Sequence, residues 1–437
     1  MVTGGARALA WSISSVDGPG DVGAYASIAL DPLQQPGISY CASSTDDLKF
    51  ARLVGTAWQV ESVDTAGRTG WYTSLAFDTA GNPRIAYWDL TNSALRYARW
   101  NGTSWTKETV DNTAYVGQCC SLALDHAGNP SISYYDYTNG DLKFARWDGV
   151  AWNVEMIDSG PALLGAGLYT SLTLDAADRP HISYADHSQG QLRYAWWDGA
   201  QWTIEVVDGG TPIGTSIQLD ADGVPRITYA YQFGQGSHLK YASRTGAGGA
   251  WQTQIVRAGG QIGLYSSLRL RPNGEPSILS WDLGNGRVNY DAYENGSWFH
   301  EAIEAMAFTD QWCSLAMDTS AHLHAAYRST IDQDLHYAVA ANPADLVEGT
   351  PARIPAMSIA PNPTMDDCAI RLQLDQPEQI RWQVFDILGR ASTAPVTQVL
   401  PAGQNEVPLR RMPGSGVYIV RVETPSGTAS ARFVQVR

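Results

Sequence analysis

The chain has 437 residues, which permits two to four ordinary domains of about 100 to 200 residues, or one large repeat domain with an appendage. Hydrophobic residues make up 44% and charged residues 17%, with 42 Gly, 22 Pro, 16 Trp and 21 Tyr, a balance that suits a turn-rich β protein and excludes disorder or a coiled coil. Lys plus Arg number 29 against 44 Asp plus Glu, a net charge of −15, so neither nucleic acid nor anionic lipid is an expected partner.

The first residues, Met1-Val2-Thr3-Gly4-Gly5-Ala6-Arg7, lack the charged start and apolar stretch of a signal peptide, so the chain is expected to be cytosolic or to lack its true N-terminus. No run approaches the roughly eighteen apolar residues of a membrane helix. A repeat follows, anchored on Ser, apolar, any, apolar, usually Asp, and beginning at Ser27, Ser74, Ser121, Ser171, Ser216, Ser267 and Ser314. In one unit Ser121-Leu122-Ala123-Leu124-Asp125 is followed by a turn at Ala127-Gly128-Asn129-Pro130 and by Ser131 to Asp136. A second turn at Thr138-Asn139-Gly140 leads to Leu142 to Trp147 and then to Trp152 to Asp158. Each segment has strand length, β-branched and aromatic residues, and bounding turn signals, so the unit reads as a four-stranded antiparallel meander. Four strands per period of about 40 to 50 residues is the pattern of a propeller blade.

The two ends of the repeat complement each other. Trp11 to Asp17 matches the fourth strand of a unit with no other strand before it, and the seventh unit ends at Leu335-His336-Tyr337-Ala338 without a fourth strand. The fold expected is therefore all-β: a seven-bladed β-propeller of four-stranded antiparallel blades over residues 1–341, closed by the N-terminal strand, which covers two sheet edges that would otherwise stand open. A linker over 342–357 is marked by Asn342, Pro343, Pro351 and Pro355. Residues 358–437 follow as a small Ig-like β-sandwich, with strands expected over Ala369 to Leu374, Ile380 to Phe385, Gly416 to Val422 and Ala431 to Val436, and turns at Leu388-Gly389-Arg390 and Pro425-Ser426-Gly427.

Pro361-Asn362-Pro363 after an apolar residue, Phe385-Asp386-Ile387-Leu388-Gly389-Arg390, Gly416-Val417-Tyr418-Ile419-Val420-Arg421-Val422 and a last strand ending at Arg437 occur in order. Together they resemble the type A sorting domain of the type IX secretion system. The resemblance implies export across the outer membrane of a Bacteroidota-type bacterium, recognition of the tail by the secretion machinery, and its removal as the cargo is released or attached to the surface. It also implies a signal peptide, so the start of this chain is expected to be trimmed. The blades more loosely resemble Asp-box (neuraminidase-repeat) propellers and propeller lectins, Gly102-Thr103-Ser104-Trp105 and Gly296-Ser297-Trp298 echoing the end of the Asp box. The likeness implies the architecture and not sialidase activity, since Trp100 stands where the box has its Asp.

Motifs that carry chemistry are few. There is no GxSxG elbow, phosphate loop or HExxH, and His300-Glu301-Ala302-Ile303-Glu304 falls on a strand, where a helix-borne zinc pair cannot form. Asp220-Ala221-Asp222-Gly223 starts like a calcium loop without the later ligands, and Cys41, Cys119, Cys120, Cys313 and Cys368 have no metal-binding spacing. No metal or cofactor is expected. Third-strand Lys49, Arg96, Lys143, Arg193 and Lys240 are expected to pair across the hairpin with fourth-strand Glu61, Glu108, Glu155 and Glu205. Cys120 and Cys313 share a repeat position on distant blades and are not expected to bond.

Two sets of residues are candidates for ligand contact. Tyr25, Tyr72, Tyr169, Tyr265 and Trp312 lie two residues before the anchor Ser, where the chain enters the innermost strand, and blades three and five break this ring with Cys119 and Gly214. Rigid amphipathic rings there either stack on a sugar or plug the channel. Trp88-Asp89, Tyr135-Asp136, Ala185-Asp186 and Trp281-Asp282 follow the second strands, where the carboxylates either bind hydroxyls or hold turns. For catalysis the densest cluster is His322, His324, Tyr327, Arg328 and His336 in blade seven, a set suited to proton abstraction and charge neutralisation, as in propeller polysaccharide lyases. Repeat steps of 45 to 51 residues leave no insertion to build an asymmetric active site. The expected function is thus a secreted or surface-attached, non-catalytic, monomeric binding module with a glycan ligand, the type IX machinery being its other partner. The alternatives are a polysaccharide lyase or glycoside hydrolase working from blade seven, or a protein-interaction scaffold.

Overall fold

The computed structural model describes residues 9, 11–163, 165–246, 248–305, 312–329, 331–340, 357–364, 366–374, 377–386, 392–412, 414–424 and 427–436. The opening residues Met1 to Arg7, the linker positions Asn342, Pro343, Pro351 and Pro355, and the turn positions Leu388, Gly389, Arg390, Pro425 and Ser426 lie outside them. Every regular element among the described residues is a strand. The chain divides into two compact units, Met1–Asn342 and Pro343–Arg437.

The first unit holds seven four-stranded antiparallel sheets. Blade one comprises Val22–Leu30, Pro36–Ala42, Asp47–Val54 and Ala57–Asp64. Blade seven takes its fourth strand from the N-terminus: Trp11–Asp17 pairs with Leu335–Ala340, beside Leu323–Arg328 and Cys313–Met317. Second strands such as Pro36–Ala42, Pro130–Asp136 and Pro180–Asp186 are buried along their whole length, whereas fourth strands such as Ala57–Asp64 and Trp152–Asp158 are largely exposed. Neighbouring blades cover both faces of the second strands, so that even their polar residues, such as Ser39, Ser133 and Ser183, are buried. The Asp closing the anchor motif holds the first turn. Asp31, Asp78, Asp125, Asp175, Asp220 and Asp318 each accept backbone N–H groups two and four residues on.

Three repeated contacts join each blade to the next. The anchor serine Oγ accepts the backbone N–H that follows the next blade's anchor, at 2.9 to 3.2 Å, from Leu75 N to Ser27 around to Leu315 N to Ser267. The seventh link, Ile28 N to Ser314 Oγ at 3.1 Å, joins blade seven to blade one. Each fourth-strand Trp meets the third-strand aromatic of the preceding blade edge to face, with ring centroids 5.2 to 5.9 Å apart, and this series too closes at Trp58 on Tyr337. Such geometry adds about 0.5–1.5 kcal/mol per pair beyond area burial.

The third contact corrects the expected ion pairs. Phe50, not Lys49, lies opposite Glu61, and Lys49 lies opposite Ser62, so Lys49 and Glu61 project from opposite faces of the sheet. Lys49, Arg96, Lys143, Arg193 and Lys240 pair instead with the last acid of the preceding blade's fourth strand: Asp17, Asp64, Asp111, Asp158 and Asp208. The second-strand Tyr40, Tyr87, Tyr134, Tyr184 and Tyr229 donate their hydroxyls to the same carboxylates. Blade six departs from the scheme, with Arg257, Ser280 and Asn289 at the three positions, and there Arg257 pairs with the buried Asp291 at 2.7 Å.

In the second unit, Met357–Ala360, Cys368–Leu374 and Gly403–Leu409 form one sheet, and Val396–Leu400, Glu378–Asp386, Gly416–Thr424 and Gly427–Gln435 form another. They share a core that includes Ile370, Ile380, Val384, Val420 and Phe433. Gly403–Leu409 carries no apolar run and escaped the sequence reading; its inward residues are Asn405, Val407 and Leu409, with the Asn405 amide donating to Pro401 and Gly403 carbonyls.

Ser314→Ala removes the serine link across the closure and is expected to lower unfolding free energy by about 1 kcal/mol, read from urea denaturation. Removing residues 1–17 uncovers the edge of Leu335–Ala340, and self-association in size-exclusion chromatography is the expected result; a monomer of unchanged melting temperature would contradict closure by this strand.

Candidate functional site

The residues two positions before the anchor serines converge as the repeat predicts. Tyr25, Tyr72, Cys119, Tyr169, Gly214, Tyr265 and Trp312 line one cavity of about 160 Å³ on the propeller axis, with serine and threonine hydroxyls of the innermost strands below them. In each of the first six blades a bulge sets two residues of the innermost strand against one of the second, as Tyr25 and Ala26 against Tyr40. The first bulge residue takes left-handed backbone: φ is +56° at Tyr25, +53° at Tyr72 and Cys119, +54° at Tyr169, +65° at Gly214 and +51° at Tyr265. For a side chain larger than Gly or Asn this conformation costs about 1–2 kcal/mol, and it turns the ring toward the axis. Gly214 breaks the ring for a steric reason, since a Cβ there would lie 2.4 Å from the Tyr265 Cα.

The rings pack on one another and remain half-buried. Trp312 lies 4.3 Å from Tyr265 and 5.2 Å from both Tyr25 and Tyr72, centroid to centroid; Tyr25 is 4.7 Å from Tyr72, and Tyr169 is 5.7 Å from Tyr265. Burial pushes the Tyr169 hydroxyl up to about 12 and raises Tyr72 and Tyr265 further, so all three stay neutral donors. An aromatic path that the sequence reading missed continues from this ring across blades one to three: Tyr25 to Trp71 at 5.2 Å, Trp71 to Trp88 at 6.1 Å, Trp88 to Tyr115 at 5.1 Å and Tyr115 to Tyr137 at 5.5 Å. Trp71 is fixed by its indole N–H to Asp46 at 3.2 Å and by the Arg68 guanidinium 5.3 Å from its ring centre. Trp71, Tyr115 and Tyr137 lie outside the anchor grammar, which is why the repeat did not reveal them.

The second-strand set is placed deeper. Trp88, Tyr135 and Trp281 are buried, and so are Asp89, Asp136, Asp186 and Asp282. Each carboxylate accepts the backbone N–H three residues on, from Asn92, Asn139, Gln189 and Asn285. In this structure these residues brace the rim of the mouth.

The blade-seven cluster does not converge on one point but divides between two carboxylates, with His322 and His324 near Asp318 at 2.7 and 3.7 Å, and Tyr327 and His336 near Glu304. Tyr327 and His336 occupy the Tyr and Lys positions of the blade-to-blade clasp, with Glu304 as its acid at 2.9 and 3.2 Å. His324 Nδ1 lies 2.6 Å from the Tyr337 hydroxyl, the same arrangement that His181 makes with Tyr194 in blade four. His322 Nδ1 lies 2.7 Å from Asp318, and Arg328 pairs with Asp21 at 2.8 Å. Cys120 and Cys313 point between blades, toward the carbonyls of Tyr72 and Tyr265, and all five cysteines are free.

Burial alone would raise the Asp64 and Asp111 carboxyls, but their bonds to Tyr87 and Lys107, and to Lys143, Thr113 and Tyr134, outweigh it and hold both below the ordinary range. Burial alone would lower His336, but Glu304 and Asp332 outweigh it and raise the imidazole.

Residues 358–436 match the family described as the secretion system C-terminal sorting domain. That domain supports export by the type IX system to the cell surface or extracellular space. No curated protein matches the chain. Among solved structures, an ulvan lyase of a new polysaccharide lyase family, bound to -[GlcA(1-4)Rha3S]-, aligns with a TM-score of 0.51 and 11% identity over 76% of this chain and 97% of its own. A second structure of ulvan lyase gives 0.51 and 12% over the same shares. A Hadza microbial sialidase aligns at 0.43 and 13%, over 70% of this chain and 74% of its own. At such identities the ulvan lyase likeness is one of fold, and at its score the sialidase bears on nothing further.

The clasp predicts how stability depends on pH. A carboxyl lowered by folding contributes stability that is present above its ordinary value and lost as pH falls through the lowered one, so the urea midpoint should drop below about pH 4. Asp111→Asn, which leaves Lys143 without its acid, should cost about 3 kcal/mol at neutral pH. An imidazole raised by folding contributes fully below its ordinary value and loses that contribution as pH rises through the raised one. His336→Lys should therefore retain the fold and flatten the decline above about pH 6.5, measured as urea midpoints across a pH series.

Proposed function

We propose that this protein is an exported, non-catalytic glycan-binding module whose contact surface is the aromatic mouth of the propeller. The observation that carries this reading is the ring of Tyr25, Tyr72, Tyr169 and Tyr265, each held in backbone that disfavours a large side chain, with Trp312 at its centre. A channel that only needed filling could use residues compatible with ordinary strand backbone, whereas rings turned axially at this cost give flat apolar faces with neutral hydroxyl donors at their edges. Sugars present the complement: apolar C–H faces bordered by hydroxyls. Trp71, Tyr115 and Tyr137, half-buried to exposed around the buried Trp88, place further rings away from the axial unit, in keeping with a chain-like ligand. Against a catalytic role for blade seven, His322, His324, Tyr327, Arg328 and His336 each serve a local contact, and three of the five contacts are clasp or turn contacts of the repeat. The tail supports delivery of this surface outside the cell.

A glycan array probed with the full chain, with bound polysaccharides then assayed for new reducing or unsaturated ends, should show binding without turnover. Tyr72→Ala and Tyr169→Ala should each weaken binding about fivefold or more, in line with about 1–3 kcal/mol for a lost stacking face. Turnover abolished by His322→Ala would overturn the non-catalytic reading. Expressed with a signal peptide in a host with a working type IX system, the chain should reach the surface, whereas deletion of residues 358–437 should hold the propeller in the periplasm, and unchanged export would sink the sorting role.

A further inference from the structure

A second kind of cavity recurs at the outer ends of the blade interfaces, away from the axis. Between blades one and two, a groove of about 340 Å³ is lined by Phe50, Arg52, Glu61, Pro83 and Trp100. Between blades three and four, one of about 380 Å³ is lined by the equivalent Phe144, Arg146, Glu155, Pro180 and Trp197. Both reach the roughly 300 Å³ at which small-ligand sites begin, which the axial cavity does not. The groove between blades two and three has the same five positions, as Tyr97, Arg99, Glu108, Pro130 and Trp147, but measures about 110 Å³. There Arg99 leans across to Glu108, 3.8 Å away.

The next interface shows what the groove holds when full. Between blades four and five the aromatic and the cation exchange strands: Trp196 stands where Arg146 stands one blade earlier, and Arg244 where Trp197 does. The Arg244 guanidinium lies over Tyr194, Trp196 and Trp251, at 4.8 to 5.7 Å from the ring centres, and its NH1 is 2.8 Å from Glu205. Trp251 Nε1 donates to the same carboxylate at 3.0 Å. A stacking group that also hydrogen-bonds the acid therefore fills this interface from within the chain. In the two wide grooves nothing does: Glu61 and Glu155 have no hydrogen-bond or ion-pair partner among the described residues, and in the groove between blades three and four the buried indole N–H of Trp202, equivalent to Trp251, has no acceptor.

We infer that the two wide inter-blade grooves are saccharide sites, each taking one pyranose unit of a glycan, in addition to the axial mouth. The inference rests on the glycan-binding reading above and extends it to sites that reading does not include. Trp100 and Trp197 supply stacking faces, Glu61 and Glu155 accept from hydroxyls, and Arg52 and Arg146 donate to them. An Arg on the same wall opposes a cationic occupant, whereas a neutral polyol uses both the donor and the acceptor. Both grooves lie toward the strand ends opposite those that carry the aromatic ring, since Pro83 and Trp100 sit at the Phe77 and Trp105 ends of their strands while Tyr72 neighbours Trp88; the two grooves can engage a glycan chain or a glycan-coated surface together, so individually weak sites suffice.

The test uses the full chain labelled with 5-fluorotryptophan, its resonances assigned by single Trp→Phe variants. It is titrated with an equimolar mixture of the methyl glycosides of glucose, galactose, mannose, N-acetylglucosamine, fucose and rhamnose. Displacement of the Trp100 and Trp197 fluorine signals is the expected result, and Glu155→Ala, an exposed substitution, should weaken the Trp197 response about tenfold while leaving that of Trp100 unchanged. Displacement confined to Trp312 or Trp71 would overturn the groove sites and leave the axial reading standing. No displaced signal at any tryptophan, with no binding on the glycan array, would overturn both. An unchanged Trp197 response in Glu155→Ala would remove the acid from the site and overturn the proposal as stated.

Discussion

The hydrogen bond from each blade's inner strand to the serine of the blade before it is the constraint on which the rest of the propeller depends. It couples a backbone donor, which any residue supplies, to an acceptor that the sequence must provide once per blade, and it does so at 2.9 to 3.2 Å seven times over. Because the donor immediately follows an anchor and the acceptor is an anchor, a shift in one blade's register would break two links together. The ring closes only if the last serine, Ser314, reaches the first blade at Ile28. That closure brings Trp58 onto Tyr337 and sets the N-terminal strand against Leu335–Ala340.

Around this inner ring the blades are joined by groups that combine burial with charge. The clasp of Tyr, acid and Lys or Arg places a carboxylate between two blades, where loss of one partner leaves the others unsatisfied, so the three positions vary together. Blade seven keeps the clasp with Glu304 and His336, and blade six abandons all three positions at once for Arg257 and Asp291. Such joint substitution shows how a chain can diversify individual interfaces while retaining the ring. At the rim the same freedom separates wide grooves from filled ones, the exchange of Trp and Arg between adjacent strands deciding whether the acid is satisfied from within.

The axial mouth and the clasp draw on the same bulge. Two residues of the inner strand stand against one of the second, and that one is Tyr40, Tyr87, Tyr134, Tyr184 or Tyr229, the hydroxyl donor of the clasp. The bulge thus sends one aromatic outward to hold the blades and another inward to the axis. Strain at the inward residue is tolerated because the serine link and the clasp fix the backbone on either side.

The sequence by itself determined the blade count, the strand order within a blade, the closing strand and most of the tail, because these follow from local alternation, turn chemistry and a period of 45 to 51 residues. It also located the axial ring, since Tyr25, Tyr72, Tyr169, Tyr265 and Trp312 share one offset from the anchor. Only the tertiary structure decided what the repeated polar residues do. Lys49 and Glu61 look like cross-strand partners in the sequence, yet a one-residue register difference places them on opposite faces and hands Lys49 to Asp17, on a strand of a different blade. The histidines of blade seven look like one cluster for the same reason: nearness in sequence says nothing of which side chain each ring meets, and His336 goes to Glu304 of blade six while His322 and His324 meet Asp318 and Tyr337 of their own blade. The grooves at Trp100 and Trp197 were invisible because their walls come from two blades each, and a pocket whose two walls lie some twenty to fifty residues apart leaves no local motif to read.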